Sequence, residues 1–115
     1  MTDKEDREVL FKKPEGLSPT GEAAHAVIMK FLTKKRLVSS GGCKVFYSPA
    51  EWRERGEEYG TESELIVVYD GGDHRCAFNM DCECYKTIDQ LQEELHKVGC
   101  FFEEATCWYG SVYKR

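Results

Sequence analysis

Glu64-Leu-Ile-Val-Val-Tyr-Asp-Gly-Gly-Asp-His-Arg-Cys-Ala-Phe-Asn-Met-Asp-Cys-Glu-Cys84 is the stretch whose reading decides the fold. It reads as two strands joined by a tight turn. Across 65–69 neighbouring residues are all apolar, which is the pattern of a strand covered on both faces. Asp70-Gly-Gly-Asp73 supplies residues that tolerate left-handed geometry, as a tight turn requires. Beyond it, alternation places His74, Cys76, Phe78, Met80, Cys82 and Cys84 on one side of an extended strand. Arg75, Ala77, Asn79, Asp81 and Glu83 fall on the other.

Upstream, Ser48-Pro-Ala-Glu51 has the residues of a capping box, with proline in the first turn. The helix it opens is expected over 49–59, stopping at Gly60, with Trp52, Gly56 and Tyr59 facing inward. Before it, 43–47 is a short strand of β-branched and aromatic residues, preceded by a Ser-Ser-Gly-Gly turn. An earlier helix has Ser18 as N-cap, Pro19 in the first position and Glu22 near its positive end. Ala24, Val27, Ile28, Phe31 and Leu32 form its apolar stripe, and Lys34, Lys35 and Arg36 close it. His25 flanks the stripe.

Downstream, Thr87-Ile-Asp-Gln90 reads as a second capping box. Ile88, Leu91, Leu95 and Val98 share a stripe that ends at Gly99, and His96 lies off it. Residues 100–109 read as one aromatic-rich strand, with a bend at Gly110. The order strand, helix, strand, strand, helix, strand predicts a ferredoxin-like βαββαβ sandwich. That is an α+β fold with a four-stranded antiparallel sheet and helices on one face, here with an extra N-terminal helix. Residues 1–16 are expected to form a flexible arm docked through Phe11. Residues 17–115 are expected to form a single domain.

Composition narrows the function classes. The chain has 115 residues, 41% hydrophobic and 32% charged, with a net charge of −5. No apolar run approaches the ~20 residues that span a bilayer, and the first residues lack a signal-peptide core. The expectation is a cytoplasmic protein with no membrane contact. Acidic balance opposes a nucleic-acid role resting on phosphate neutralisation. The six cysteines are too few for a disulfide scaffold, and a cytoplasmic chain would keep them reduced.

Three groups of residues carry candidate chemistry. Asp70, Asp73 and His74 cluster at the turn, where carboxylates beside an imidazole suit acid–base work or a hard cation. The same residues also satisfy turn geometry. His74, Cys76, Cys82 and Cys84 form an alternative metal set of soft ligands. A single strand spaces them ~6.6 Å apart along one face rather than converging them, so buried cysteines serving as small hydrophobes are the expectation. Trp52, Trp108, Tyr109 and Tyr113 are aromatics of the kind that anchor protein interfaces. Phe46, Tyr47, Trp108 and Tyr109 would be the stacking residues of a sheet that binds single-stranded nucleic acid. However, 75–80 lacks the basic-Gly-aromatic run of such sheets. No dinucleotide, phosphate-loop or hydrolase signature is present, so no cofactor and no catalytic residue are expected.

Phe46-Tyr-Ser-Pro-Ala-Glu-Trp52, Val68-Tyr-Asp-Gly-Gly-Asp73 and Thr106-Cys-Trp-Tyr-Gly-Ser-Val-Tyr-Lys114 together resemble small uncharacterised proteins of bacteriophages and integrated bacterial elements. The likeness covers 43–115. It implies an accessory or anti-defence factor that works by binding a host protein. The expected function is accordingly non-catalytic protein–protein binding. The alternative is a small-ligand, metal or single-stranded nucleic-acid module. A homodimer through an edge strand is a further expectation.

Overall fold

The computed structural model describes residues 8–115. In chain order its elements are α1 (Pro19–Lys35), β1 (Phe46–Tyr47), α2 (Pro49–Glu54), β2 (Leu65–Val68), α3 (Tyr85–Lys97), β3 (Cys100–Glu104) and β4 (Tyr109–Lys114). Short 3-10 turns at Asp73–Ala77 and Met80–Cys82 lie between β2 and α3. The fold is α+β with a four-stranded sheet ordered β1-β2-β4-β3, every neighbouring pair antiparallel. No described helix is long and apolar enough to cross a membrane.

Local signals set the first helices. Ser18 accepts from Gly21 N at 3.0 Å and caps α1. α1 buries Ala24, Ile28, Phe31 and Leu32. Ser48 and Glu51 form both bonds of the capping box of α2, at 3.1 and 3.0 Å. α2 is shorter than the expected 49–59 because Gly56 takes φ +84°, a left-handed conformation that glycine adopts without strain and that ends the helix.

β2 is buried along its whole length. Leu65 and Val67 face the main core, formed with α1, α3, Phe78, Phe102 and Val112. Ile66 and Val68 face a smaller cluster with Trp52 and Tyr109. Phe11 docks into the main core at 1% exposure. The His25 Nε2 lies 3.1 Å from the Phe11 carbonyl. Of the expected arm, 1–16, residues 1–7 lie outside the described residues.

The expected strand over 74–84 is replaced by the two 3-10 turns. His74, Ala77 and Phe78 are the residues that enter the core, and their i, i+3, i+4 spacing is helical rather than alternating. Met80, expected on the core side, is 49% exposed. The expected last strand is in fact a hairpin, β3 and β4, with Phe102 opposite Val112. The connectivity is therefore β-α-β-α-β-β and not βαββαβ. The expected Thr87 box is also displaced: α3 begins three residues earlier, with Cys84 as N-cap and no side-chain capping bond.

β3 is an edge strand, and its outward backbone is partly occupied. Gln92 of α3 donates to the Phe102 carbonyl at 2.6 Å and accepts from the Phe102 N–H at 2.8 Å. One amide thus closes both groups that an incoming strand would need at mid-edge. Replacing Gln92 by Ala should lower unfolding stability by about 1–3 kcal/mol, read from chemical denaturation. The same variant should shift light scattering towards dimer, because the freed edge can pair.

Candidate functional site

The sheet face opposite α1 and α3 is aromatic. The strand registers put Tyr47, Ile66, Val68, Tyr109, Ser111, Tyr113, Phe101 and Glu103 on it. α2 lays Trp52 across this face, with ring centroids 5.2 Å from Tyr47, 5.0 Å from Tyr109 and 6.0 Å from Trp108. Trp52 is fully buried and Tyr109 is 4% exposed. Trp108 is half-buried. Of the expected aromatic anchors, two are therefore the core of the second layer, and Trp108 and Tyr113 keep a solvent-facing part.

Cations cover the near end. The Arg55 guanidinium sits 4.8 Å from the Trp52 ring and 5.2 Å from the Tyr47 ring, and Lys44 Nζ is 4.4 Å from Tyr47. Phe46 points to the opposite face, into the main core. The four stacking residues of a nucleic-acid sheet are thus divided between two faces, and Trp52 of α2 packs on Tyr47 and Tyr109.

The chain after α2 returns over this face and is pinned there. The Trp52 indole N–H donates to the Tyr59 carbonyl at 2.9 Å, and Arg53 donates to the Thr61 carbonyl at 2.6 Å. Gly60, at φ +82°, lies directly over Ser111, where any β-carbon would collide with the serine hydroxyl. That hydroxyl is buried with no hydrogen-bond partner among the described residues. Holding the backbone this way leaves the Tyr59 side chain 68% exposed. A helix continuing through Gly56 would turn Tyr59 inward; α2 ends at Glu54 and Gly56 is left-handed, so Tyr59 leaves that face.

Phe101 and Tyr113 continue the face beyond Trp52. Their rings stack at 5.8 Å and both remain half-buried. Glu57, Tyr113 and Tyr59 surround the Tyr109 phenol, whose pKa is raised, first by burial and then by these neighbours. Glu58, Glu62 and Glu103 are exposed. The face is thus aromatic and acidic at its open end.

The turn residues serve the fold. Asp73 Oδ1 accepts from the Ser39 N–H at 3.0 Å, and the Asp73 N–H donates to the Ser39 carbonyl at 2.9 Å. His74 is fully buried. Its Nε2 donates to the Val68 carbonyl at 2.7 Å, and Nδ1 faces the Ser39 carbonyl at 3.5 Å. Burial holds the imidazole below its ordinary pKa, against the pull of these carbonyls and of Asp73. Asp70 is exposed beside this arrangement.

The alternative metal set is not assembled. His74 is committed to backbone oxygens, and Cys76 is joined to Cys84 in a disulfide with Cα atoms 5.6 Å apart. The expectation that all cysteines stay reduced is corrected here. The 3-10 turns fold the segment back on itself, and no extended strand keeps the two residues apart. Cys43, Cys82, Cys100 and Cys107 are free. Among the described residues no group of three or more His, Cys, Asp or Glu side chains converges as metal ligands would. Two surface grooves, of about 400 Å³ between α1 and α3 and about 490 Å³ beside Lys12, Lys13 and Lys44, contain none of the expected site residues. Compared with protein-family models, curated proteins and solved structures, the chain shows no match.

The buried imidazoles give a pH dependence with a definite sign. His74 and half-buried His25 are both lowered by burial, so the unfolded chain binds protons first as pH falls. Stability is complete above the unfolded histidine pKa of about 6.5 and declines as pH drops below it. The urea midpoint should fall between pH 7.5 and pH 5.5. In a His74→Gln, His25→Gln double variant that slope should flatten, although the variant starts from a lower midpoint.

Proposed function

We propose that this chain is a non-catalytic, cytoplasmic protein-binding module. Its docking surface is the open aromatic face around Tyr59, Tyr113, Phe101 and Trp108, and the partner presents a basic segment. The observation that carries this reading is Tyr59, a large aromatic side chain 68% exposed on a backbone that the Trp52 indole holds in place. Tyrosine gives broad contact area at low entropic cost, and a pinned backbone lowers that cost further. Glu103 lies on this face and Glu57, paired with Arg55 at 3.3 Å, lies near Tyr109, while exposed Glu58 and Glu62 flank Tyr59 in the chain; lysine or arginine would meet carboxylates and ring faces there. The net charge of −5 favours the same partner chemistry at longer range. The resemblance to proteins of phages and integrated elements supplies the setting of this proposal, an accessory or anti-defence factor acting on a bacterial host protein.

A photo-crosslinking side chain at position 59, with a control at Lys35, tests this in bacterial lysate. The expected result is one dominant adduct from position 59, mapping to a lysine- or arginine-bearing segment of the partner and absent from the control. With that partner purified, Tyr59→Ala and Tyr113→Ala should each weaken binding roughly tenfold or more, the size of a true anchor. Added salt should weaken it further. Equal adducts at both positions, or unchanged binding in both variants, would show that the surface lies elsewhere.

A further inference from the structure

We propose that Cys76–Cys84 is a redox-active pair that exchanges with low-molecular-weight thiols of the glutathione class. The aromatic face takes no part in it. Four observations support it.

First, Cys76 and Cys84 are both partly exposed, so the bond lies at the surface rather than in the core. Second, Cys84 is the N-cap of the 13-residue α3, with no side-chain capping bond and no acidic residue in the first turn. Unpaired N–H groups at that end favour an anion, and no carboxylate of that turn competes for them. In the disulfide Cys84 Sγ faces the Cys82 carbonyl at 3.5 Å; once released, a thiolate there has to turn to the free N–H groups of α3, and that turn favours the reduced form and makes Cys84 the better leaving group.

Third, the bond closes a short loop, with eight residues of sequence separation. Short loops constrain the unfolded chain least, so a structural staple would be poorly placed here. The core contribution of the segment is held by other means. His74, Ala77 and Phe78 are buried, and Asn79 donates to the Cys107 carbonyl at 2.9 Å. Fourth, Cys107 is an exposed free thiol and Cys82 a half-exposed one. The fold is thus not built on complete oxidation of its cysteines, and a reduced 76–84 pair is compatible with it.

The step balances with two thiols. The first thiolate attacks Sγ of Cys76, the 76–84 bond breaks, and Cys84 leaves as a thiolate. A second thiolate attacks the small-molecule sulfur of the mixed disulfide and releases Cys76. Two thiols become one oxidised disulfide, two electrons pass to the protein, and the two thiol protons go to the cysteines or to solvent. The loop 77–83, with exposed Met80 at its centre, then loses its covalent tie.

The test equilibrates the full chain in glutathione buffers of graded ratio. Free cysteines are then trapped by alkylation and located by mass spectrometry. The expected result is a Cys76–Cys84 bond that is half-reduced within the range of cellular glutathione ratios and remains so in Cys82→Ser. On reduction, backbone hydrogen exchange over 79–85 should accelerate at least tenfold while β2 and α1 stay protected. A Cys76→Ser, Cys84→Ser variant should match the reduced protein. Three results would each overturn the proposal. They are a bond resistant to all glutathione ratios, Cys76 and Cys84 alkylated as free thiols in fully oxidising buffer, and loss of protection in β2 on reduction.

Discussion

A four-residue strand buried on both faces, Leu65–Val68, is the constraint on which the structure depends. Its side chains require apolar partners above and below, and its backbone groups require hydrogen bonds where water does not reach. β1 and β4 supply most of these, yet the strand's end needs more. The Val68 N–H donates to the Val45 carbonyl at 2.7 Å, the Tyr69 N–H donates to Trp108 at 2.9 Å, and the Val68 carbonyl is left over. The imidazole of His74 satisfies it. An unsatisfied buried carbonyl would cost about 1–3 kcal/mol, which gives a physical reason for the chain to turn inward after Gly72 rather than run out as a hairpin.

That inward turn organises the surrounding loops. Asp73 binds Ser39 through both backbone and side chain, joining the loop before β1 to the loop after β2. Phe78 stacks on Tyr69 at 5.7 Å, and the Tyr69 hydroxyl donates to the Thr106 carbonyl in the β3–β4 connection. The loops at this end are thus tied through a few buried polar contacts. The same inward turn brings Cys76 back to Cys84. Fully extended, eight residues would separate their Cα atoms by about 26 Å; here the separation is 5.6 Å.

Features coded by adjacent residues were legible in the sequence. Ser18-Pro19, the Ser48–Glu51 box and the apolar 65–69 run each contain their own physical cause, and each is found where expected. The segment 74–84 was not legible, because two periods coexist in it. Its alternation is regular, but the buried set His74, Ala77 and Phe78 follows helical spacing, and only tertiary demand chooses between them. The β3–β4 hairpin was missed because its connection, Ala105-Thr-Cys-Trp108, lacks the Gly or Asn that usually marks a turn. At the site, residue type pointed to Trp52, Trp108, Tyr109 and Tyr113, but burial then separated them. Tyr59 was misplaced by a single residue, Gly56, whose left-handed conformation ends the helix before Tyr59 can share its inward face.

The two sheet faces divide the work differently. The face under α1 and α3 is closed by long amphipathic helices and carries most of the buried side chains. The other is covered only by a six-residue helix and a loop, too little to seal a sheet face, and its residues are aromatic and amphipathic. Trp52 links its buried and exposed parts, since the ring fills the second core while the indole N–H fixes the carbonyl of Tyr59. The position of the most exposed tyrosine on this face is therefore set by the most buried tryptophan. For the docking role proposed for this face, backbone geometry inherited from the core would not have to be ordered on binding, and more of the contact energy would appear as affinity.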